Sequence, residues 1–126
     1  MPTLTVAARN AAADAIVDLI DGGSGSYGDI AFLDSSDTVL CVCNMSNPAF
    51  GSASNGTATA NSISNGTVST SGTIAKVKIR DTDDNEVMEC TITVTGGGGE
   101  FEIGNLTVSS GDTISVTSFT VTMPAS

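Results

Sequence analysis

The sequence contains no histidine and no tryptophan, and only four of its 126 residues are lysine or arginine. Histidine is the side chain that most often acts as a general base near neutral pH, and it is also the commonest metal ligand. The acidic residues are scattered along the chain without an evident paired site. We therefore expect a protein that is not an enzyme and uses no cofactor, with no catalytic, cofactor-binding or metal-binding residues.

Scarce positive charge and the lack of long apolar runs limit the classes of partner. The formal net charge is −10 at pH 7, whereas nucleic-acid binding needs clustered Lys and Arg to neutralise phosphates. No run approaches the roughly 20 apolar residues of a membrane span. The first residues also lack the basic region and apolar core of a secretory signal. The sequence thus predicts neither a nucleic-acid nor a membrane partner.

The three cysteines, Cys41, Cys43 and Cys90, are an odd number, so they cannot form a complete set of disulfides. Cys41 and Cys43 are two residues apart in an extended run and therefore point to the same face. A zinc site would need a fourth ligand, which histidine cannot supply here. We predict buried free thiols, which favour folding in a reducing cytoplasm.

Alanine is abundant near the start, where residues 3–21 contain the only convincing helical pattern. The apolar residues that recur at three- and four-residue steps are Ala12, Ala13, Ile16, Val17, Leu19 and Ile20. The opposite face carries Asn10, Asp14, Asp18 and Asp21. We predict an amphipathic helix capped by Thr3 or Thr5 and ended by a left-handed Gly22. The helix either packs on a sheet or docks another subunit. Docking gains weight because the aspartates near its negative C-terminal end are unfavourable there without a basic partner or free solvent.

Residues 29–123 have the pattern of short strands separated by turns, which indicates a single domain over residues 1–126. The architecture is a β-sandwich, with a jelly roll as one candidate topology. Two Asn-Gly pairs, at Asn55 and Asn65, predict tight hairpin turns. Residues 113–123 form a long closing strand with a bulge near Thr117, because the apolar parity changes there. The residues expected between two sheets are Ile79, Ile92, Val116, Phe119 and Val121.

The clearest predicted hairpin joins residues 73–80 to residues 86–94. Three of the four basic residues, Lys76, Lys78 and Arg80, alternate with apolar residues and therefore share one exposed row. Closing the hairpin places Lys78 opposite Glu89, Arg80 opposite Val87 and Lys76 opposite Thr91. Lys76 and Arg80 are then free to meet acidic groups elsewhere.

We take this basic row, together with Asp14 and Asp18 of a neighbouring subunit, as candidate interface residues. The alternative is a solvated row that only discourages edge-to-edge aggregation.

Two further patterns do not support a binding site. Asp81, Asp83 and Asn85 have the spacing of a calcium loop, but Glu86 occupies the position that needs glycine. The glycine run at residues 96–99 is followed by no lysine and no helix, so we interpret it as a flexible break rather than a phosphate cradle.

Three stretches of the chain resemble a group of small virion proteins of tailed bacteriophages. The first is Arg9-Asn10-Ala11 followed by residues 14–22, DAIVDLIDG. The second is residues 47–51, NPAFG, followed by residues 55–61, NGTATAN. The third is residues 116–124, VTSFTVTMP. The hairpin around Lys76 is outside the similarity.

The resemblance implies a structural protein of the phage particle. It favours a decoration (cement) protein on the outer surface of the head, made in the cytoplasm of the host bacterium. Its partners would be the major capsid protein and copies of itself, as a homotrimer. The alternative is a tail, baseplate or fibre component that engages the host surface.

Overall fold

The regular structure of the chain is mainly β, as its richness in Thr, Val and Ile predicts. The computed structural model describes residues 2–125, and this range contains one α-helix followed by twelve short strands. The helix α1 is Val6–Asp18, and the strands are β1 Asp29–Leu33, β2 Val39–Asn44, β3 Thr57–Thr59, β4 Gly66–Thr67, β5 Gly72–Thr73, β6 Lys76–Arg80, β7 Glu86–Cys90, β8 Ile92–Val94, β9 Phe101–Ile103, β10 Thr107–Val108, β11 Thr113–Ile114 and β12 Thr120–Thr122. The predicted mainly β fold with an N-terminal helix is confirmed, and it is consistent with a β-sandwich. The jelly-roll topology stays a prediction.

The helix begins and ends inside its predicted bounds. Thr5 caps α1, and its hydroxyl accepts a hydrogen bond from the main-chain N–H three residues later at 3.1 Å. After α1 the chain continues as a 3₁₀ turn over Leu19–Asp21. The predicted left-handed ending at Gly22 is wrong: Gly22 is extended, and the positive φ of 105° occurs at Gly23.

The buried stripe of the helix is narrower than its sequence pattern suggests. Ala13, Val17 and Ile20 are buried, whereas Leu19 is 60% exposed. The small Ala13 allows the helix to approach β3 and β12 closely. The helix is therefore packed on the strands by one narrow face.

A four-stranded antiparallel sheet with the order β2-β1-β6-β7 supplies the longest strands of the fold. All five residues of β1 are buried, and β1 pairs with β2 on one side and β6 on the other. Ile30 lies opposite Cys43 in β2 and Ile79 in β6. Because both faces of β1 are covered, its residues 30–33 form an unbroken apolar run rather than an alternating one.

The two Asn-Gly pairs have different conformations. Asn55 and Gly56 have φ values of 53° and 79°, and they form the predicted tight turn. The prediction at Asn65 is wrong, because Gly66 starts β4 instead. A Cβ atom on Gly66 would lie 2.3 Å from the main-chain oxygen of Val42, so glycine is required for the close approach of β4 to β2.

Two strands predicted as continuous are interrupted. Residues 86–94 divide at Thr91 into β7 and β8, and β8 pairs in parallel with β9. Val94, expected on the inner face, is 48% exposed. Residues 113–123 divide into β11, which pairs with β4, and β12, which pairs with β3. The apolar residues change from one alternation to the other because the two halves pair with different strands, and not because of a bulge.

The four phenylalanines of the sequence form one chain of ring contacts through the core. Phe32 contacts Phe101 edge to face with a centroid distance of 6.2 Å, and Phe101 stacks on Phe119 at 5.1 Å. Phe119 then contacts Phe50 at 5.8 Å. These contacts connect the four-stranded sheet to the short strands.

The predicted core is correct in part. Ile79 and Ile92 are buried as expected. Val116, Phe119 and Val121 are only partly buried and pack against the edge of the core, so their placement between two sheets is wrong.

Candidate functional site

The basic row on β6 is present, but its cations are already paired within the chain. Lys76 forms an ion pair with Asp37, the left-handed residue of the β1–β2 turn. Lys78 lies 3.9 Å from the same carboxylate and 3.0 Å from Glu86. The hydrogen bond from Lys76 lowers the pKa of Asp37, and the hydrogen bond to Glu86 raises the pKa of Lys78.

Arg80 forms the most enclosed of these pairs. Its Nε and Nη2 atoms donate to the two carboxylate oxygens of Asp29 at 2.7 and 3.0 Å. Asp29 is only 5% exposed, and Arg80 also lies 3.5 Å from Asp84. Burial raises the pKa of Asp29, while the guanidinium opposes that rise. This geometry is the bidentate pairing that arginine makes with carboxylates.

The register of the β6–β7 hairpin agrees with the prediction in one place. Lys78 lies opposite Glu89 as expected. A bulge directly before Arg80 places it opposite Glu86 instead of Val87. Strand β7 ends at residue 90, so the predicted pairing of Lys76 with Thr91 does not occur.

The expectation that Lys76 and Arg80 have no partner within the chain is wrong. Because β1 lies beside β6, the carboxylates at the two ends of β1 reach the two ends of the basic row. Asp37 meets Lys76, and Asp29 meets Arg80. The neighbouring position of β1 and β6 depends on a contact between distant parts of the sequence, which local patterns do not reveal. The interface role of the row stays a prediction.

The polar face of the helix is used to hold a loop. Asn10 accepts a hydrogen bond from the main-chain N–H of Gly56 at 2.7 Å, and Asp14 accepts one from Ala53 at 2.8 Å. Asp21 accepts a third, from the N–H of residue 49, at 2.9 Å. The candidate interface residue Asp14 is therefore engaged internally, whereas Asp18 is exposed. The helix and residues 49–56 run in opposite directions along these three bonds.

The three stretches for which the sequence predicts a resemblance, within residues 9–22, 47–61 and 116–124, are adjacent in space. Strand β3, inside the second stretch, pairs antiparallel with β12, inside the third, and α1 contacts both. The N–H of Met123 also donates to the main-chain oxygen of Gly56 at 2.8 Å. We call α1, residues 49–61 and β12 the terminal unit. Sequence reasoning did not anticipate that these separate stretches form one surface.

The acidic turn after β6 binds a neighbouring loop rather than showing the geometry of a calcium loop. One carboxylate oxygen of Asp81 accepts from the N–H groups of Asp83 and Asn85, both at 2.9 Å. The carboxylate of Asp83 accepts from the N–H and hydroxyl of Ser24. No group of three or more potential metal-ligating side chains occurs among residues 2–125.

The three cysteines are buried and unpaired, which confirms the predicted free thiols. Burial raises the pKa of Cys43 and that of Cys90 to about 11 in each case. Burial also raises the pKa of Cys41. The thiols are therefore protonated near neutral pH, in the form that is a poor nucleophile and a poor metal ligand.

The glycine run between β8 and β9 is a hydrogen-bonded loop, so its interpretation as a flexible break is wrong. Glu102 accepts from the N–H groups of Gly96 and Gly98 at 3.2 and 3.0 Å. Both glycines have positive φ, which an L side chain rarely adopts. Glu100 is held by Thr91, whose N–H and hydroxyl both donate to one carboxylate oxygen. These bonds lower the pKa of Glu100.

An uncharged recess lies beside the exposed ring of Tyr27. Its volume is about 280 Å³, and Tyr27 is 53% exposed. The other residues around it are Asn44, Met45, Ser46, Ser62 and Ser64. The recess combines an aromatic ring with neutral hydrogen-bonding groups in a chain that is otherwise strongly acidic.

Comparisons with known proteins give no match: no family model, curated protein or solved structure is similar to this chain. In the part of the chain that the structure describes, no helix has the length and apolar character needed to cross a bilayer.

Proposed function

We propose that this chain is a structural protein of a tailed-bacteriophage particle, and that it decorates the outer surface of the head. The observation that carries the proposal is the terminal unit. Three stretches separated by up to half of the sequence resemble one group of virion proteins, and they pack together through α1, β3 and β12. A resemblance spread over unrelated surface loops would have no such structural coherence.

In this role the chain binds the major capsid protein and copies of itself, as a homotrimer. The function needs no catalytic group or cofactor, and the protonated, buried thiols are consistent with a passive binding role. Closed symmetry would also cover edges of the short strands, which are otherwise open to unwanted pairing. The protein would be made in the host cytoplasm and then reside on the virion.

The exposed end of the helix is the part of the terminal unit best placed for a neighbour. Asp18 is exposed, and the adjacent Leu19 is 60% exposed. Lys76 is the first residue of β6, and its partner Asp37 is largely exposed. Exposed ion pairs contribute only about 0–1 kcal/mol each, so such contacts would select orientation more than supply affinity.

Copy number tests the proposal. Particles purified from infected cells are digested, and this chain is quantified against the major capsid protein by mass spectrometry with isotope-labelled peptides. A decoration protein gives roughly hundreds of copies per particle, because it follows the symmetry of the shell. Absence of the chain from purified particles would reject both the decoration role and any other virion role.

The alternative is a tail, baseplate or fibre component that engages the host surface, and the recess beside Tyr27 favours it. An aromatic ring next to neutral amide and hydroxyl groups is suited to a sugar, which has one apolar face and several hydroxyls. Only a few to tens of copies per particle would support this alternative over decoration.

A further inference from the structure

A cleft lies between β9 and the segment that precedes β12. Two recesses of about 210 and about 430 Å³ share Glu100 and Ser118 as lining residues and are therefore adjacent. We call them together the edge cleft. One wall is formed by β9, the other by residues 115–121, and Met88 and Cys90 of β7 line the wider end.

The β9 wall presents an unpaired strand edge. The N–H of Phe101 donates to the main-chain oxygen of Thr91, and the N–H of Thr95 donates to that of Ile103, each at 3.0 Å. In a parallel pair, alternate residues direct their main-chain groups to the same neighbour. Phe101 and Ile103 therefore face β8, and the N–H and C=O of Glu102 point to the opposite side. In residues 2–125, β8 is the only strand that pairs with β9.

The opposite wall is not part of a ladder. The N–H and C=O groups of Ser115, Val116, Thr117 and Ser118 make no main-chain hydrogen bond with any described residue. Val116 is partly buried against the core, whereas Ser115, Thr117 and Ser118 are exposed, so this wall is open to water.

The lining between these walls is mixed, with more polar than apolar surface in the narrower recess. Phe32, Ile92 and Phe101 line the narrower recess, and Phe119 lines the wider one. An extended peptide would place alternate side chains against these apolar groups while its main chain bonded to the edge of β9. An open strand edge beside recesses for side chains is the arrangement used for strand addition.

Two fixed negative charges lie beside the cleft. The carboxylate of Glu100 is held by Thr91 at 2.6 and 2.9 Å, and that of Glu102 is held by the glycine loop. Neither glutamate forms an ion pair within residues 2–125. The carboxylates are thus held in place next to the open edge without a compensating cation.

We propose that the edge cleft binds an extended segment of a partner protein, which adds as a strand beside Glu102 and carries Lys or Arg between small apolar residues. A second copy of this chain is a poor occupant. Its net charge is −10, and three of its four basic side chains are already in ion pairs. The cleft would accept such a segment whichever assembly contains the chain.

The test uses a synthetic peptide with the sequence acetyl-Thr-Val-Lys-Val-Lys-Val-Thr-amide, titrated by calorimetry into the full-length protein. We expect binding that weakens about tenfold or more when both lysines are replaced by glutamate. Glu102→Gln should weaken binding of the lysine peptide. Glu89→Gln is the matched control, because Glu89 is exposed on β7 and does not line the cleft. Circular dichroism checks that both variants remain folded.

Main-chain pairing is tested separately with N-methylated peptides. Methylation of alternate amides in one parity should abolish binding, whereas methylation in the other parity should leave it nearly unchanged, because only one set of N–H groups faces β9. Absence of binding up to about 1 mM peptide would overturn the proposal, as would equal sensitivity to both parities. Self-association that the lysine peptide disrupts would also overturn it, since the occupant would then be a second copy.

Discussion

The terminal unit and the four-stranded sheet are held together by different interactions. In the sheet, long strands pair through main-chain ladders, and the large side chains of Ile30 and Phe32 are buried beneath them. In the terminal unit the strands have only three residues, and polar side chains such as Asn10 and Asp14 bind the main chain of a loop. The sheet is stabilised mainly by apolar burial, whereas the terminal unit combines burial of small residues such as Ala13 and Ala58 with specific hydrogen bonds from the helix to the loop.

This difference determines which amino acids each region accepts. A ladder with apolar contacts accepts many combinations of apolar residues, provided that volume and pattern are kept. A loop held by Asn10 and Asp14 needs those side chains at those positions, because each one satisfies a particular N–H group. The stretches behind the proposed resemblance lie in the terminal unit, whereas the charged hairpin of the sheet lies outside it.

The largest expected loss of stability comes from truncating a buried phenylalanine, and its size should differ between the two regions. Phe32→Ala should reduce the free energy of unfolding by about 3–5 kcal/mol, because Phe32 is 2% exposed in the central strand. Phe119→Ala, next to the terminal unit, should cost less, about 1–3 kcal/mol, because Phe119 is only partly buried. Urea denaturation measures both values. An equal or larger loss at Phe119 would contradict its position at the partly buried margin of the core.

The next largest loss of stability should come from removing the partner of the buried carboxylate of Asp29 in the sheet. Arg80→Met removes the bidentate partner of Asp29, which is 5% exposed, and should cost on the order of 3 kcal/mol. Lys76→Met is the matched control, since its partner Asp37 is exposed, and it should cost about 1 kcal/mol or less. Similar losses for the two variants would mean that Asp29 is hydrated, contrary to the burial described above.

The helix–loop bonds of the terminal unit should give a smaller loss. Asp14→Ala leaves the partly buried N–H of Ala53 without its acceptor, which should cost about 1–2 kcal/mol. Asp18→Ala changes the same residue type one helical turn later at an exposed position and should stay within about 0.5 kcal/mol. Hydrogen exchange should show faster exchange at Ala53 in the first variant only. Unchanged protection there would contradict the assigned role of Asp14.

The smallest effect is the dependence of stability on pH. The ion pair with Lys76 lowers the pKa of Asp37 below its ordinary value of 3.8. A lowered pKa means that the stabilisation is present above the unfolded-state pKa and is lost as pH falls through the folded-state pKa. Wild type should therefore be slightly more stable than Asp37→Asn at pH 7, and the two should converge as pH falls through the lowered pKa of Asp37. A difference that grows in acid would contradict this ion pair.

The fold could be predicted from local patterns where one pattern dominates. The alanine-rich periodicity located α1, and the apolar alternation located β6 with Lys78 opposite Glu89. The division of residues 113–123 could not be predicted, because it depends on which distant strand each half meets. The predicted turn at Gly66 was wrong for the same reason, because the role of this glycine is set by contact with β2 and not by its neighbour Asn65.

The candidate site was predictable only as a set of surface charges. Alternation correctly placed Lys76 and Arg80 on one face of β6, but both are largely covered instead of exposed. Their partners, Asp37 in the turn after β1 and Asp29 in β1, became evident only from the pairing of β1 with β6. The edge cleft has no sequence signal, since it arises from main-chain groups that lack partners. Local patterns describe side chains, whereas this feature belongs to the backbone.

The most direct test of the account is a cryo-electron microscopy reconstruction of the intact phage particle. The account predicts density that fits this chain on the outer surface of the head, as trimers repeated with the symmetry of the shell. A chain found only in the tail would replace decoration by the host-binding alternative. A particle that contains no density for the chain would contradict the virion assignment itself.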